Sequence, residues 1–387
     1  MLSDYILIKM DNFIPVNTPI LNGNEKKYLN ECIDSGWISS EGPFVKKFED
    51  KFSSRVNRKY GVAVSNGTGA IDIAISSLNL NPGDEIILPT FTIISCILQI
   101  VRMGLKPVLV DCDPITFNID VHQIESKINK NTKAIFIVHI YGLPVDLDPV
   151  LTLVKKYKLF LIEDAAEMHG QTYNNLPCGS FGDISIFSFY PNKHITTGEG
   201  GMIVTNNEEL ANTCKSLRNL CFDENERFVH KRLGWNLRMT NLQAAIGIAQ
   251  LERLDEFIAK KRQIGLLYSK LLEEFDELQL PLLKTNYAEN IFWVFSILLN
   301  KKINLNAKQA THILGAKGVG TRPFFCPMHM QPILTEMRIF GNESHPISEY
   351  IYEKGFYLPS GLGLTEDNIY SVVNSIKSML SDSRNSQ

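Results

Sequence analysis

The chain lacks the features that would place it in several large classes of protein. Its cysteines, Cys32, Cys96, Cys112, Cys178, Cys214, Cys221 and Cys326, stand singly with no CxxC pair, and no histidines gather at zinc-ligand spacing. That excludes a zinc ribbon or finger and leaves no metal site to expect. An odd number of cysteines without a framework fits a reducing compartment, so the cytoplasm is the expected location. Long apolar runs are absent too. The most apolar stretch, residues 86–105, is interrupted by Pro89, Gln99 and Arg102, and reads as strand, loop and buried helix, not as a membrane span. Residues Met1 to Tyr5 show no basic region followed by an apolar run, so no secretory leader is expected. Neither sign of charge is in excess. The formal net charge is -3, which gives no electrostatic reason to expect nucleic acid or an anionic membrane as partner. There is no internal repeat, and biased composition is confined to a polar tail from Ser381 to Gln387.

What is present is an ordinary globular composition, 44% apolar and 21% charged over 387 residues, enough for a large domain and a smaller one. Between about residues 60 and 205, short β-branched runs alternate with helical patterns. The strand candidates are Val62–Val64, Glu85–Leu88, Pro107–Val110, Ala134–His139, Leu159–Glu163, Ile184–Phe189 and Met202–Val204, with helices such as Gly69–Leu78 and Pro149–Tyr157 between them. Nearly continuous apolar strands separated by helices predict an α/β fold, a mainly parallel seven-stranded sheet covered on both faces. Ligands of such sheets lie beyond the carboxyl ends of the strands. After Thr240, the residues Leu242, Ile246, Ala249, Leu254, Phe257 and Ile258 recur at helical spacing, with Thr240 or Asn241 as N-cap. This helix is expected to carry the chain from a large domain (1–250) into a smaller C-terminal α+β domain (251–387) containing a strand at Ile291–Leu298.

Three segments carry chemistry. From Phe187 to Met202 a strand ends, a loop presents Lys193, and Gly198, Gly200 and Gly201 lead into the next strand. A lysine just past a buried strand is partly desolvated, which lowers its pKa and frees the amine for Schiff-base chemistry. The glycines would let backbone pass close to a flat ligand. In the second segment, Leu161 to Gly170, Asp164 closes an apolar run. A carboxylate there would hold a pyridine nitrogen protonated, or else cap a following helix. Glu167 faces either a ring oxygen of the ligand or completes that cap. His169 reads as structural. The third segment, Val64 to Ala70, places Gly67 and Thr68 between a strand and a helix, where backbone amides suit a phosphate. Ser188 offers a further hydroxyl to it.

The order Gly67, Asp164, Lys193, together with Gly36 to Ser40, Pro82 to Glu85, Gly179 to Asp183, Thr196 to Gly201 and Gly234 to Asn241, resembles the nucleotide-sugar aminotransferases of the DegT type. The resemblance runs from about Pro15 to Ser378. It implies a fold type I enzyme working as a homodimer, with pyridoxal 5'-phosphate as cofactor and L-glutamate and a nucleotide-linked keto-sugar as substrates. It also implies Lys193 as the Schiff-base lysine, Asp164 at the pyridine nitrogen, Ser188 at the phosphate, and Asn236 reaching the phosphate of the neighbouring subunit's cofactor. The segments Trp37 to Ser40, Asn192 to Gly201 and Arg322 to His329 are most similar to the subgroup that aminates C4 of GDP-4-keto-6-deoxymannose, which implies Trp37, Arg322 and His329 as substrate-side residues; a structural arginine before a proline is the other reading of Arg322. A dTDP- or UDP-linked 4-keto or 3-keto sugar is the alternative. Two departures stand out. Where the family carries an aromatic residue to stack on the cofactor ring, this chain has Ile93, so either an aliphatic contact or Phe91 takes that place. The loop before Lys193 reads Tyr190-Pro191, where the subgroup has Phe-Gly.

Overall fold

A computed structural model of the chain describes residues 13–223 and 226–385; the reading of Met1 to Tyr5 and the last two residues of the polar tail lie outside them. Residues 381–385 of that tail close the C-terminal helix Glu366–Asn385.

All seven expected runs are strands of one sheet: β1 (Tyr60–Val64), β2 (Glu85–Pro89), β3 (Lys106–Val110), β4 (Thr132–Val138), β5 (Phe160–Asp164), β8 (Ile184–Ser188) and β9 (Gly201–Thr205). A short hairpin of β6 (Thr172–Tyr173) and β7 (Leu176–Pro177) stands apart. The order is β1-β9-β8-β5-β4-β2-β3, with β9 alone antiparallel to its neighbours. Successive strand side chains point to opposite faces, and the sequence fills both. Ala63, Ile87, Ile135, Ile137 and Leu161 pack on one face against the helices Pro43–Arg55 and Asn241–Leu251. Val62, Leu88, Phe136, Ile162 and Ile186 pack on the other against the helix Gly67–Ser77. Each such fully buried valine, leucine, isoleucine or phenylalanine contributes about 1.5–3 kcal/mol relative to exposure.

The helical pattern after Thr240 is two helices, not one. Thr240 and Gln243 form a reciprocal capping box that opens Asn241–Leu251. The chain then breaks at Glu252, whose carboxylate is held by Asn24 and Tyr28 at 2.7 Å each, and resumes as Leu254–Leu272. This second helix starts in the core of the large sheet with Leu254 and Phe257 and ends in another core with Ile264, Tyr268 and Leu272.

That other core covers a four-stranded antiparallel sheet of β10 (Leu278–Gln279), β11 (Phe295–Leu299), β12 (Arg322–Pro323) and β13 (Gly355–Leu358), in the order β10-β11-β13-β12. The strand expected from Ile291 begins only at Phe295. Residues 290–294 are drawn toward the large sheet instead: Ile291 N–H donates to Gly142 O at 3.3 Å and the Trp293 indole to Asn192 O at 2.9 Å. The N-terminal segment joins this side of the molecule, with Ile14 bridging Val319.

Candidate active site

Three strands of the large sheet end at one cavity of about 670 Å³, within the size range of small-molecule sites. Asp164 closes β5, Ser188 closes β8, and β1 runs through a turn into the helix Gly67–Ser77. Gly67, Thr68, Asp164, Glu167, Ser188 and Lys193 all line it. The site is thus assembled at the carboxyl edge of the sheet, where parallel strands leave a crevice.

One corner suits an anion. Asn66 caps the helix by accepting from Gly69 N–H at 2.7 Å, and the first amides of a helix have no partner within it. Thr68 and Ser95 share a hydroxyl contact of 2.8 Å beside them. A Cβ on Gly67 would stand 2.7 Å from the Ser188 Cβ, so only glycine lets the two segments close on this corner. Of the later glycines, Gly198 faces open space, whereas Gly200 and Gly201 are hemmed in by protein. A Cβ on Gly201 would meet Asn66 O at 2.5 Å, and one on Gly200 would meet Thr197 Oγ1 at 2.1 Å. They permit packing of protein against protein.

The opposite corner is a set of buried ionisable groups. Asp164 is 3% exposed. Its Oδ1 accepts from Ala166 N–H at 2.9 Å, and its Oδ2 faces only the Cys96 thiol at 3.5 Å. Burial pushes its carboxyl above the ordinary value, with Ala166 N–H and the Lys193 charge opposing. No helix follows Asp164, since residues 165–170 are turns; the capping readings of Asp164 and Glu167 therefore fall away. Glu167 instead accepts from Tyr141 N–H at 2.7 Å and lies 3.8 Å from Lys193 Nζ. Burial raises its carboxyl to about 8, against the pull of Lys193. The Lys193 side chain is 11% exposed, and burial lowers its amine below the ordinary value while Glu167 and Asp164 oppose. An anion corner closed by Gly67, a buried carboxylate with no cation bonded to it among the described residues, and a desolvated lysine in the same cavity fit pyridoxal phosphate.

The remaining expected residues are dispersed. Ile93 lines the cavity, whereas Phe91 is fully buried in an aromatic cluster with Tyr141, Phe324 and Phe325 at 5.8–6.1 Å. Phe91 does not replace the missing aromatic at this position, which presents the aliphatic Ile93. Arg322 is exposed on β12 and lines a side cavity of about 290 Å³ that shares Tyr190, Asn192 and Tyr357 with the main one. His329 lies outside the lining, its ring nitrogens facing Thr90 Oγ1 at 2.8 Å and Glu349 Oε1 at 3.1 Å. Trp37 is 51% exposed, and its carbonyl accepts from Asn241 Nδ2 at 2.6 Å. Asn236 is exposed, outside the lining, and accepts from Arg238 Nε at 2.9 Å. His169 is buried against Phe187 and Phe189, in keeping with a structural histidine. Sequence reasoning missed Trp293, Tyr141 and Cys96. None of them sits in a segment with a recognisable motif.

Comparison with known proteins is consistent with this arrangement. The model of the DegT/DnrJ/EryC1/StrS aminotransferase family matches residues 19–377. The GDP-perosamine synthase of Escherichia coli O157:H7 is 40% identical over 370 residues, 96% of this chain and 99% of that protein. Among solved structures, the aminotransferase TlmJ from Streptoalloteichus hindustanus superposes with a TM-score of 0.89 at 27% identity, covering 95% of this chain and 99% of that one. A mutant of ColD, a GDP-4-keto-6-deoxymannose-3-dehydratase, with bound GDP-perosamine gives a TM-score of 0.86 at 26% identity, covering 94% and 100%.

Proposed function

The chain belongs to the DegT/DnrJ/EryC1/StrS aminotransferase family, and from that premise we propose that it moves the amino group of L-glutamate to C4 of GDP-4-keto-6-deoxymannose, giving GDP-perosamine. It is an aminotransferase with pyridoxal 5'-phosphate as cofactor. The observation that carries the substrate reading is the 40% identity to a GDP-perosamine synthase over 96% of the chain, in a protein whose cavity presents Lys193.

The bound cofactor supplies a conjugated pyridine ring that holds the electron pair left when the donor's α-proton departs. Asp164 would hold the ring nitrogen in its protonated form through a charge-assisted hydrogen bond. Lys193 Nζ takes the proton from the donor's α-carbon and serves again as the acid or base in the second half reaction, so the kinetics are ping-pong. His194, beside it in sequence, is fully buried, with Nε2 at 3.3 Å from Ile291 O, and is not part of the cavity wall. The base offered to substrate is therefore lysine, which speaks for transamination over dehydration.

The test is a panel of GDP-, dTDP- and UDP-linked 4-keto-6-deoxy sugars with glutamate, read by mass spectrometry. The GDP-manno sugar is expected to give the highest kcat/KM, and Lys193→Ala to abolish turnover. A preference of about tenfold or more for a dTDP or UDP sugar replaces the substrate but leaves the reaction class. Absence of amination with every sugar in the panel refutes the reading.

The working unit on this reading is a cytoplasmic homodimer in which Asn236 completes the partner's phosphate corner. Its support is the exposed apolar surface on the same loop, Leu233 at 94% and Phe228 at 81%. With two-fold symmetry, a random mixture of Lys193→Ala and Asn236→Asp chains contains mixed dimers with one intact site, and should recover roughly a quarter of the wild-type activity. No recovery when mixed dimers are demonstrably present would confine Asn236 to its own chain.

A further inference from the structure

The Lys193 amine is one corner of a closed ring of contacts, another member of which has no assigned role. Lys193 Nζ lies 4.0 Å from the centre of the Trp293 ring and 3.8 Å from Glu167 Oε1. Trp293 in turn stacks on Tyr141, with ring centres 5.9 Å apart and planes at 25°. Tyr141 closes the ring by donating its backbone N–H to Glu167 Oε2 at 2.7 Å. The indole also reaches the lysine's own backbone, since Trp293 Nε1 donates to the carbonyl of Asn192 at 2.9 Å. Trp293 is itself fixed from behind: Lys261, buried in the protein, donates Nζ to the Trp293 and Ser360 carbonyls at 2.6 Å each.

We propose that Trp293 is the positioning residue for Lys193, its indole face holding the cationic nitrogen of the lysine on the cavity wall and its N–H fixing the peptide from which the lysine springs. The proposal rests on the aminotransferase reading, in which Lys193 must leave its bond to the cofactor, stay within reach as the base, and return. A lysine freed in a desolvated cavity would otherwise swing toward water. The electron-rich face of an indole attracts a cation more strongly than a phenyl ring does, and the second contact to Asn192 O is one that only an N–H donor makes. Two independent contacts, one at the lysine's charge and one at the Asn192 carbonyl of the peptide that leads into it, distinguish positioning from mere cavity lining.

The test uses the holoenzyme and the variants Trp293→Phe and Trp293→Leu. The primary readout is the pH midpoint of the Schiff-base absorbance band, which needs no sugar substrate and reports the charge on Lys193 Nζ directly. Loss of the aromatic face destabilises the cationic form, so the midpoint should fall by about half a unit or more in Trp293→Leu and by less in Trp293→Phe. The glutamate half reaction, followed as a single turnover, should slow by about tenfold in Trp293→Leu, with a smaller change in the KM for glutamate. An unchanged midpoint in Trp293→Leu overturns the proposal. So does an equal fall in both variants accompanied by equal losses of melting temperature, which would mean that the ring only packs. Should Trp293→Leu fail to fold, Trp293→Phe carries the test, with a lowered midpoint expected and an unchanged one overturning. Wild-type protein without any Schiff-base band would instead sink the aminotransferase reading, so the two failures are distinguishable.

Discussion

Glu163 and Asp164 are neighbours at the end of one strand, both buried, and the molecule treats them in opposite ways. Leu161 packs into the core on one face of the sheet and Ile162 into that on the other, so by strand alternation Glu163 and Asp164 point in opposite directions. Glu163 accepts five hydrogen bonds: from Gly179, Phe181 and Gly182 N–H, from Ser185 Oγ–H, and from His139 Nε2–H. His139 Nδ1 accepts from Val145 N–H, which fixes the tautomer that donates to Glu163. Burial alone would raise the Glu163 carboxyl, but His139 and the glycine amides outweigh it and hold it at about 2. Asp164 has one amide and one weak thiol donor, and its value goes up. A buried carboxylate without adequate donors is unfavourable on its own. Beside a cavity, it marks the place where a ligand's cation completes the set. The carboxylate that is fully satisfied belongs to the fold, and the one that is left wanting is the one we propose for the chemistry.

The sharpest way to break this contrast is Asp164→Asn. The shape is kept and the charge is lost, so the pyridine nitrogen has no carboxylate to keep it protonated. The proton-transfer step in single turnover with glutamate should slow by at least about 100-fold, the scale of one electrostatic catalytic group. The melting temperature of the cofactor-free protein should not fall, because an ill-satisfied charge has been removed. An unchanged rate would put the pyridine partner elsewhere.

Glu163→Gln should do the reverse. An amide there turns an NH₂ toward a wall of donors, and losing a buried, hydrogen-bonded carboxylate costs about 3 kcal/mol. Thermal melting should drop by several degrees, while folded protein keeps its single-turnover rate within a small factor. The sign with pH follows from the depressed value. The ordinary carboxyl value of 4.5 lies above the folded one of about 2, so the stabilisation is present above about 4.5 and is lost as pH falls through about 2. A variant with wild-type melting at pH 7 would mean that the five donors are satisfied by some other route.

The two carboxylates also mark how far the sequence alone reaches. Strand ends were legible because β-branched runs such as Ile135 to Val138 and Ile184 to Phe187 have few other ways to be buried, and Asp164, Ser188 and Gly67 follow from them. Lys193 was legible from its place between a buried strand and a glycine turn. Glu163 carried no such signal. Its donors come from a turn some 16–19 residues downstream, from Ser185 on β8 and from His139 just past β4, and no local pattern announces them. Trp293 was illegible for the same reason, since it meets Lys193 across a separation of 100 residues from an irregular segment before β11. The break at Glu252 depended on a contact with Asn24 and Tyr28, far away in sequence, which helical periodicity cannot register. Short-range periodicity fixes which residues are buried; long-range polar contacts decide what the buried residues do.

Glu167 tests the contrast at its weakest point, because it is buried like Glu163 but lies in the cavity like Asp164. Its folded value of about 8 stands above the ordinary 4.5, the opposite displacement from that of Glu163. Between those two pH values the folded, cofactor-free protein binds a proton that the unfolded chain has released, so stability falls as pH rises through the window. Glu167→Gln cannot ionise and lacks that slope. The expected outcome is that wild-type cofactor-free protein loses more melting temperature between pH 5 and pH 8 than the variant does, by about 2 °C. Lys193 is present in both proteins, and its lowered value acts in the opposite sense, at pH values up to its ordinary one; to first order the difference between the two curves isolates the carboxyl. Parallel curves would show that Glu167 is ionised throughout, held by the Lys193 ammonium as a plain ion pair. In that case burial in the cavity would not by itself leave a carboxylate wanting, and the distinction between Glu163 and Asp164 would rest on the count of donors alone.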